Sequence, residues 1–260
     1  MATVEFEGIA NARCLGGIPT RSGATVKPGL IFRSGALNKP TEADVAKLRD
    51  TLGITCVVDL RTGWERKAKP DREIPGVENH HIPFYDQEKV GLEYVKPIPG
   101  SIMIGSDFAC DPPDFYQSMA NPLTSAQMAK AAHLVFGRAL QGLPTLVHCS
   151  GGKDRAGIMS LVLLEVLQAD RGAILEDYLL TNASRDKNLE PIYQRFLRLL
   201  EGDEERAREV TYAHRALPCN LESFYAAIDS TYGSMQAFIA EKLGIGTEEQ
   251  QRIIEACTVG

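Results

Sequence analysis

A glycine-rich turn between two apolar segments constrains this chain more than any other feature. Residues 145–147 follow Pro144 and predict a buried strand, and residues 158–167 are apolar and long enough to predict a core helix. The turn between them reads His148-Cys149-Ser150-Gly151-Gly152-Lys153-Asp154-Arg155-Ala156-Gly157. A strand that enters a helix through such a turn is typical of an α/β sheet, and backbone N–H groups at this position bind anions.

The residue types in the turn predict chemistry on a bound phosphate. Cys149 precedes the helix and lies beside positive charge, an environment that favours the nucleophilic thiolate. Arg155 follows after five intervening residues, and its planar fork can bind two phosphate oxygens. We therefore predict cleavage of a phosphate monoester through a phospho-cysteine, with no metal and no cofactor.

The other turn residues are assigned around this pair. Asp154 is a candidate catalytic carboxylate, and the residues that would surround the anion are predicted to bind substrate. They are Ser150, Gly151, Gly152, Lys153 and Ala156.

Other interpretations of the turn stay open. Cys149 could be a buried structural thiol, although Lys153 and Arg155 argue against a purely apolar site. A sulfurtransferase also carries a cysteine in an anion-binding loop, and an inactive module would bind phosphate without turnover. The five-residue spacing and the Lys-Asp pair favour the phosphatase, and an assay with an aryl phosphate separates the three.

Composition narrows the class of protein and its partners. Of 260 residues, 44% are hydrophobic and 24% charged, which suits a globular enzyme. The net charge of −6 provides no general attraction to nucleic acid or anionic membrane. The six cysteines lack metal-ligand or disulfide spacing, and neither a signal peptide nor a membrane span is apparent. We therefore expect reduced cysteines and a cytoplasmic location.

The order of predicted elements indicates one α/β domain over 1–260, with a small, mostly parallel central sheet flanked by helices and a helical C-terminal half. Residues 87–122 contain several prolines and large apolar side chains, so we expect an irregular lid over the turn. Trp64 is expected to serve in packing rather than in stacking on substrate. Strands are predicted at 30–34, 54–60 and 81–84, and helices at 41–52, 124–141, 154–168, 171–181, 189–201, 221–243 and from 247.

The turn resembles the phosphate loop of the atypical bacterial and fungal tyrosine/phosphoinositide phosphatases. Further segments resemble family landmarks in the same order, at 30–37, 52–54, 58–62, 83–86, 177–182 and 231–234. The resemblance implies the three-layer fold of the cysteine phosphatases. It also implies a phosphoprotein or phosphoinositide substrate, with a small phosphorylated metabolite such as a nucleotide as the alternative.

The resemblance also implies roles for individual residues. Asp86 matches the family's general acid, while Asp154 and Asp59 are competing candidates. Lys153 and Asp154 match a pair associated with activity on phosphoinositides.

Two positions depart from the family pattern. Cys14 replaces an aspartate, and Ala156 replaces a hydroxyl residue that helps the thiolate to leave. We therefore expect slow breakdown of the phospho-enzyme. We also raise the hypothesis that Cys14 protects an oxidised Cys149 by forming a disulfide with it.

Overall fold

The computed structural model describes residues 2–85, 102–104, 107–109, 112–186 and 189–260. The strands are β1 (Ala2–Thr3), β2 (Arg13–Cys14), β3 (Thr25–Val26), β4 (Ile31–Ser34), β5 (Cys56–Asp59), β6 (Glu78–His81), β7 (Ile102–Ile104), β8 (Asp107–Ala109), β9 (Thr145–His148) and β10 (Thr258–Val259). The helices are α1 (Glu42–Ala46), continued by a π-helical turn (Lys47–Thr51), α2 (Gly63–Ala68), α3 (Pro112–Ser118), α4 (Pro122–Ala139), α5 (Asp154–Val166), α6 (Arg171–Leu179), α7 (Thr181–Arg185), α8 (Leu189–Leu199), α9 (Glu204–Ala213), α10 (Pro218–Tyr232), α11 (Met235–Glu241) and α12 (Thr247–Cys257).

The central sheet has the strand order β1-β2-β4-β9-β5-β6. β4, β9, β5 and β6 are parallel, and β2 and β1 extend one edge in antiparallel fashion. Ser34 of β4 and Asp59 of β5 are both paired with His148 of β9. The carboxyl ends of these three strands are therefore level, and the loops that follow them meet where open α/β sheets bind ligands.

Alternating side chains of the strands build a core on each face of the sheet. Ile31 and Val147 face the larger hydrophobic cluster, to which α4, α5, α6 and α10 to α12 contribute. Phe32 and Leu146 face a smaller cluster that includes side chains of α1 and of the turn after it. The sheet lies between two helical layers, so the predicted α/β fold with a mostly parallel sheet is confirmed.

Several element boundaries differ from the prediction. The strand expected at 81–84 lies at Glu78–His81, because β6 pairs in register with β5 from Cys56 onward. The helix expected at 221–243 is two helices, since Gly233 adopts a φ of 82° after α10 and Ser234 caps α11. Four helices were not predicted, namely α2, α3, α7 and α9.

The predicted lid falls partly on residues 86–101, 105–106 and 110–111, which lie outside the described residues. The described part of this segment contains the antiparallel pair β7–β8 and helix α3, so a wholly irregular segment is the wrong prediction. Pro112 and Pro113 begin α3 without disrupting it, because the first helical turn needs no N–H donors.

Two predicted absences concern cysteines and membrane spans. No disulfide joins the five cysteines of the described ranges, Cys14, Cys56, Cys149, Cys219 and Cys257. Among the helices of those ranges, none has the length and hydropathy needed to cross a membrane.

Candidate active site

The predicted phosphate-binding turn connects β9 to α5 at the level edge of the sheet. Cys149 follows β9 directly and is only 1% exposed. Gly152 has a φ of 67°, and a Cβ there would lie 2.7 Å from the carbonyl carbon of Ser34. Only glycine fits this close approach of the turn to the end of β4.

Backbone carbonyls of the turn accept hydrogen bonds from outside it. The amide of Ala36 donates to the carbonyl of Ser150 at 3.1 Å, and Arg33 Nη2 donates to the carbonyl of Gly152 at 2.8 Å. Within the described part of the chain, the amide N–H groups of Ser150, Gly151 and Gly152 donate to no protein acceptor. These carbonyls of the turn are therefore hydrogen-bonded, whereas the amides are available to bind an anion.

A buried network of two arginines and a carboxylate supports this arrangement. Asp177 on α6 accepts hydrogen bonds from Arg33 Nη1 at 2.7 Å and from Arg13 Nε at 2.8 Å. Arg13 Nη1 donates to Asn11 Oδ1 at 2.6 Å, and Asn11 Nδ2 donates to the carbonyl of Gly151 at 3.3 Å. Burial opposes ionisation of Asp177, but the two guanidinium groups lower its pKa. The network connects β2, β4 and α6 to the turn.

Arg155 is held by Glu65, the third residue of α2. Arg155 Nη1 donates to Glu65 Oε2 at 2.5 Å, and Nη2 donates to Oε1 at 2.7 Å. Ser150 Oγ donates to the same carboxylate at 2.6 Å. Burial opposes ionisation of Glu65, but Arg155 lowers its pKa to about 2. Two of the five guanidinium N–H donors are used in this pair, which leaves a further edge of the group for phosphate oxygens.

Lys153 points toward the end of α9. Its Nζ is 3.5, 3.2 and 3.4 Å from the carbonyl oxygens of Ala213, His214 and Arg215. It also lies 3.2 Å from Asp154 Oδ1. The ammonium group thus sits at the negative end of a helix dipole, and its predicted contact with substrate stays a prediction.

Asp154 is the first residue of α5 and accepts a hydrogen bond from Tyr116 Oη. Its side chain is 28% exposed, so solvent reaches it.

Asp86, the predicted general acid, lies outside the described residues. Asp59 is fully buried and bound by Arg61 at 2.9 and 2.8 Å; although burial opposes ionisation, Arg61 lowers its pKa to about 2. Both carboxylate oxygens of Asp59 are thus bound by Arg61 and shielded from solvent, so the structure gives no support to Asp59 as the acid.

Asp59, Asp71 and His148 bring ligand atoms within 4.8 Å of one another, the spacing of a metal site. Arg61 Nη2 lies 2.8 Å from Asp59 Oδ2 and 2.5 Å from Asp71 Oδ2. The guanidinium group therefore occupies the position that a cation would take, and these residues do not fit a metal. His148 is buried, and its Nδ1 lies 3.3 Å from the carbonyl oxygen of Cys149, so the ring contacts the turn.

Two further expectations concern Cys14 and Trp64. Cys14 on β2 and Cys149 after β9 are separated by β4 and face opposite sides of the sheet. Two strand spacings amount to about 9.6 Å, beyond the roughly 7 Å that a disulfide spans. The hypothesis of a Cys14–Cys149 bridge is therefore withdrawn. Trp64 is 53% exposed and does not pack in the core.

Sequence reasoning missed the groups that hold the turn. Thr62 caps α2 through Glu65, and this Thr-x-x-Glu pattern was a readable sign of a helix start. The contact of Glu65 with Arg155 joins positions 90 apart and has no local sequence signal. Likewise, no local sequence signal indicates the contacts of Asp177, Arg33 and Tyr116 with distant elements.

Known proteins resemble this chain. Among solved structures, the catalytic core of the PP-IP phosphatase Siw14 from S. cerevisiae shares 15% identity, covers 69% of this chain and 78% of its own, and has a TM-score of 0.38. The triple specificity protein phosphatase PtpB of Mycobacterium tuberculosis is 30% identical over 270 residues, 93% of this chain and 94% of that protein. A Cupriavidus necator protein named as a tyrosine-protein phosphatase is 28% identical over 255 residues, 92% of this chain and 84% of that protein. A family model described as the tyrosine phosphatase family matches residues 4–258, and with the 30% identity to PtpB it shows that this chain belongs to the tyrosine phosphatase family.

Proposed function

We propose that the chain hydrolyses phosphate monoesters by forming a phospho-cysteine at Cys149. The observation that carries the proposal is the geometry of the turn. Arg33 donates a hydrogen bond to a backbone carbonyl of the turn, and Glu65 binds Arg155 beside the nucleophile. Arg33 and Arg155 both interact electrostatically with Cys149, so positive charge lies beside the proposed nucleophile.

The reaction takes two steps. The thiolate of Cys149 attacks phosphorus, the ester P–O bond breaks, and Asp86 gives its proton to the leaving oxygen. Water then attacks phosphorus, the S–P bond breaks with its electron pair on sulfur, and a carboxylate receives the water's proton. Arg155 and the amides of Ser150, Gly151 and Gly152 bind the phosphoryl oxygens in both transition states.

The test is release of phosphate from an aryl phosphate in the presence of a metal chelator. Turnover should persist with the chelator and should be blocked by vanadate, which mimics the trigonal-bipyramidal transition state. Cys149→Ser should abolish turnover but retain vanadate binding, because the cradle is backbone and Arg155. Cys219→Ser, a half-buried cysteine outside the turn, is the matched control. Strict dependence on an added divalent ion, or turnover by Cys149→Ser, would contradict the proposal.

For the substrate, we propose a phosphotyrosine-containing protein. Family membership supports this class, and the Mycobacterium tuberculosis relative is named as a triple specificity protein phosphatase. kcat/KM should be compared for a phosphotyrosine peptide, a phosphoserine peptide, a phosphoinositide and a nucleoside monophosphate. A clear preference for the nucleotide would replace the proposal with the metabolite alternative, and a preference for the lipid would place a phosphoinositide first.

A further inference from the structure

A buried chain of polar groups leads from α10 to the phosphate-binding turn. Asn220 Nδ2 donates to Tyr178 Oη at 2.8 Å, Tyr178 Oη lies 2.7 Å from Tyr116 Oη, and Tyr116 Oη donates to Asp154 Oδ1. Asn220, Tyr178 and Tyr116 are at most 1% exposed. The chain joins three helices, α10, α6 and α3, to the first residue of α5.

The chemistry of the two ends fixes the direction of this chain. An amide nitrogen can only donate, and each phenol has a single proton to give. Asn220 therefore donates to Tyr178, Tyr178 to Tyr116, and Tyr116 to the carboxylate. If Asp154 Oδ1 carried a proton and donated it to Tyr116, Tyr116 would donate to Tyr178, and the proton of Tyr178 would lack an acceptor within the chain. The continuous arrangement therefore has Asp154 Oδ1 as the acceptor, and Lys153 Nζ lies 3.2 Å from the same oxygen.

Other groups around Asp154 act in the same direction. Charged and titratable groups that face it include Lys153, Arg155, Tyr116 and Tyr178. Lys153 and Arg155 are cations and stabilise a negative charge. Burial, followed by the charge of Asp154, raises the pKa of Tyr116 well above the ordinary value, so that this phenol stays a donor.

We propose that Tyr116 is a positioning residue that holds Asp154 as an ionised hydrogen-bond acceptor during catalysis. Asp154 then receives a proton or orients water, and the proton for the leaving oxygen comes from another group. The inference rests on the proposed phosphatase reaction and assigns Asp154 a role opposite to that of a general acid.

The test is the pH profile of kcat for Tyr116→Phe, measured with an aryl phosphate whose leaving group needs no proton and with one whose leaving group does. Removing a hydrogen bond to a charged group makes ionisation of Asp154 harder. The acidic limb of kcat should therefore move up by about one to two pH units with both substrates. The alkaline limb should stay in place.

The matched control is Tyr225→Phe. Tyr225 Oη donates to Glu165 Oε1 at 2.8 Å, the same kind of pair on the same helix, but about 16 Å along α5 from Asp154. It should leave both limbs unchanged. Tyr178→Phe, which breaks the chain one bond further away, should move the acidic limb in the same direction by less, and it substitutes for Tyr116→Phe if that variant does not fold.

Two results would overturn the inference. A rise of the alkaline limb in Tyr116→Phe would show that Asp154 works as the proton donor. Unmoved limbs in folded Tyr116→Phe and Tyr178→Phe would show that the chain is structural. Failure of the phosphatase proposal looks different, because the unmodified protein would then lack chelator-resistant turnover altogether.

Discussion

At the scale of single residues, Glu65 decides where the guanidinium of Arg155 points. Glu65→Gln keeps the size of the side chain but removes its charge, so one charge-assisted hydrogen bond is lost and Arg155 is less well fixed. A bond to a charged group is worth about 1.5–3 kcal/mol, so kcat/KM should fall about ten- to hundredfold. Glu42→Gln, which changes an exposed partner of Arg72, is the control and should leave kcat/KM unchanged. An unchanged rate in Glu65→Gln would show that the turn alone orients Arg155.

Ala156 provides a second test at this scale. It is fully buried, so threonine would add two heavy atoms to a close-packed site at a cost of about 1–3 kcal/mol. Ala156→Ser adds only the hydroxyl that family resemblance leads us to expect. If the missing hydroxyl slows breakdown of the phospho-enzyme, the unmodified protein should show a burst of leaving group, and the variant should show a faster steady rate.

Rapid-mixing measurements of burst and steady phases decide this prediction. Ala132→Ser places a hydroxyl at another fully buried alanine, in α4, and controls for the change in stability. Equal steady rates in Ala156→Ser and the unmodified protein would mean that another group already stabilises the leaving thiolate.

The residues that could be predicted from the sequence are those whose role depends on a single contiguous segment. Cys149 and Arg155 could be predicted because their spacing is itself the signal. Glu65 and Asp177 could not, because a carboxylate that binds an arginine from a distant element looks like any other carboxylate. Cys14 illustrates the opposite error. Family resemblance predicted that this thiol lies near the turn, but it lies on the other face of the sheet.

At the scale of elements, the presence of a strand or helix was easier to predict than its boundaries. β9, α4 and α5 are long or strongly apolar, and their periodicity indicates them directly. The segment 221–243 is also periodic, but Gly233 ends α10 with a left-handed φ of 82° and a new helix starts after it. A glycine in a periodic segment is tolerated in a helix or ends one, and the sequence alone does not distinguish the two.

Two glycines in helical segments make this distinction testable. Gly233→Ala places a side chain at positive φ and should lower the free energy of unfolding by about 1–2 kcal/mol. Gly137→Ala lies inside α4 with open space around the added Cβ, and should raise it by about 0.5–1 kcal/mol. Urea unfolding of both variants measures the two effects. The same sign in both would contradict the assigned conformations.

At the scale of the whole molecule, buried ion pairs link the layers to the turn. Asp177 connects α6 with β2 and β4 through contacts 164 and 144 positions apart, and Glu65 connects α2 with α5. Such pairs are costly to break from one side, because the partner is left as a buried unpaired charge. They therefore make the stability of the fold and the shape of the turn depend on the same carboxylates.

This dependence predicts how stability changes with pH. The pKa of Glu65 is lowered from 4.5 to about 2, and that of Asp59 from 3.8 to about 2, in each case by an arginine that overcomes the effect of burial. A carboxyl with a lowered folded-state pKa stabilises the protein above its unfolded pKa, and this stability is lost as the pH falls toward the folded value. The contribution of Glu65 alone is about 3 kcal/mol. We therefore expect the urea midpoint to be flat from pH 7 to 5 and to fall steeply from about pH 4.5 to 2.

Glu65→Gln should be less stable at pH 7 but should lose less on acidification, whereas Asp50→Asn, at an exposed carboxylate, should follow the unmodified protein. An acid loss in Glu65→Gln as large as in the unmodified protein would show that this carboxylate does not carry the pH dependence.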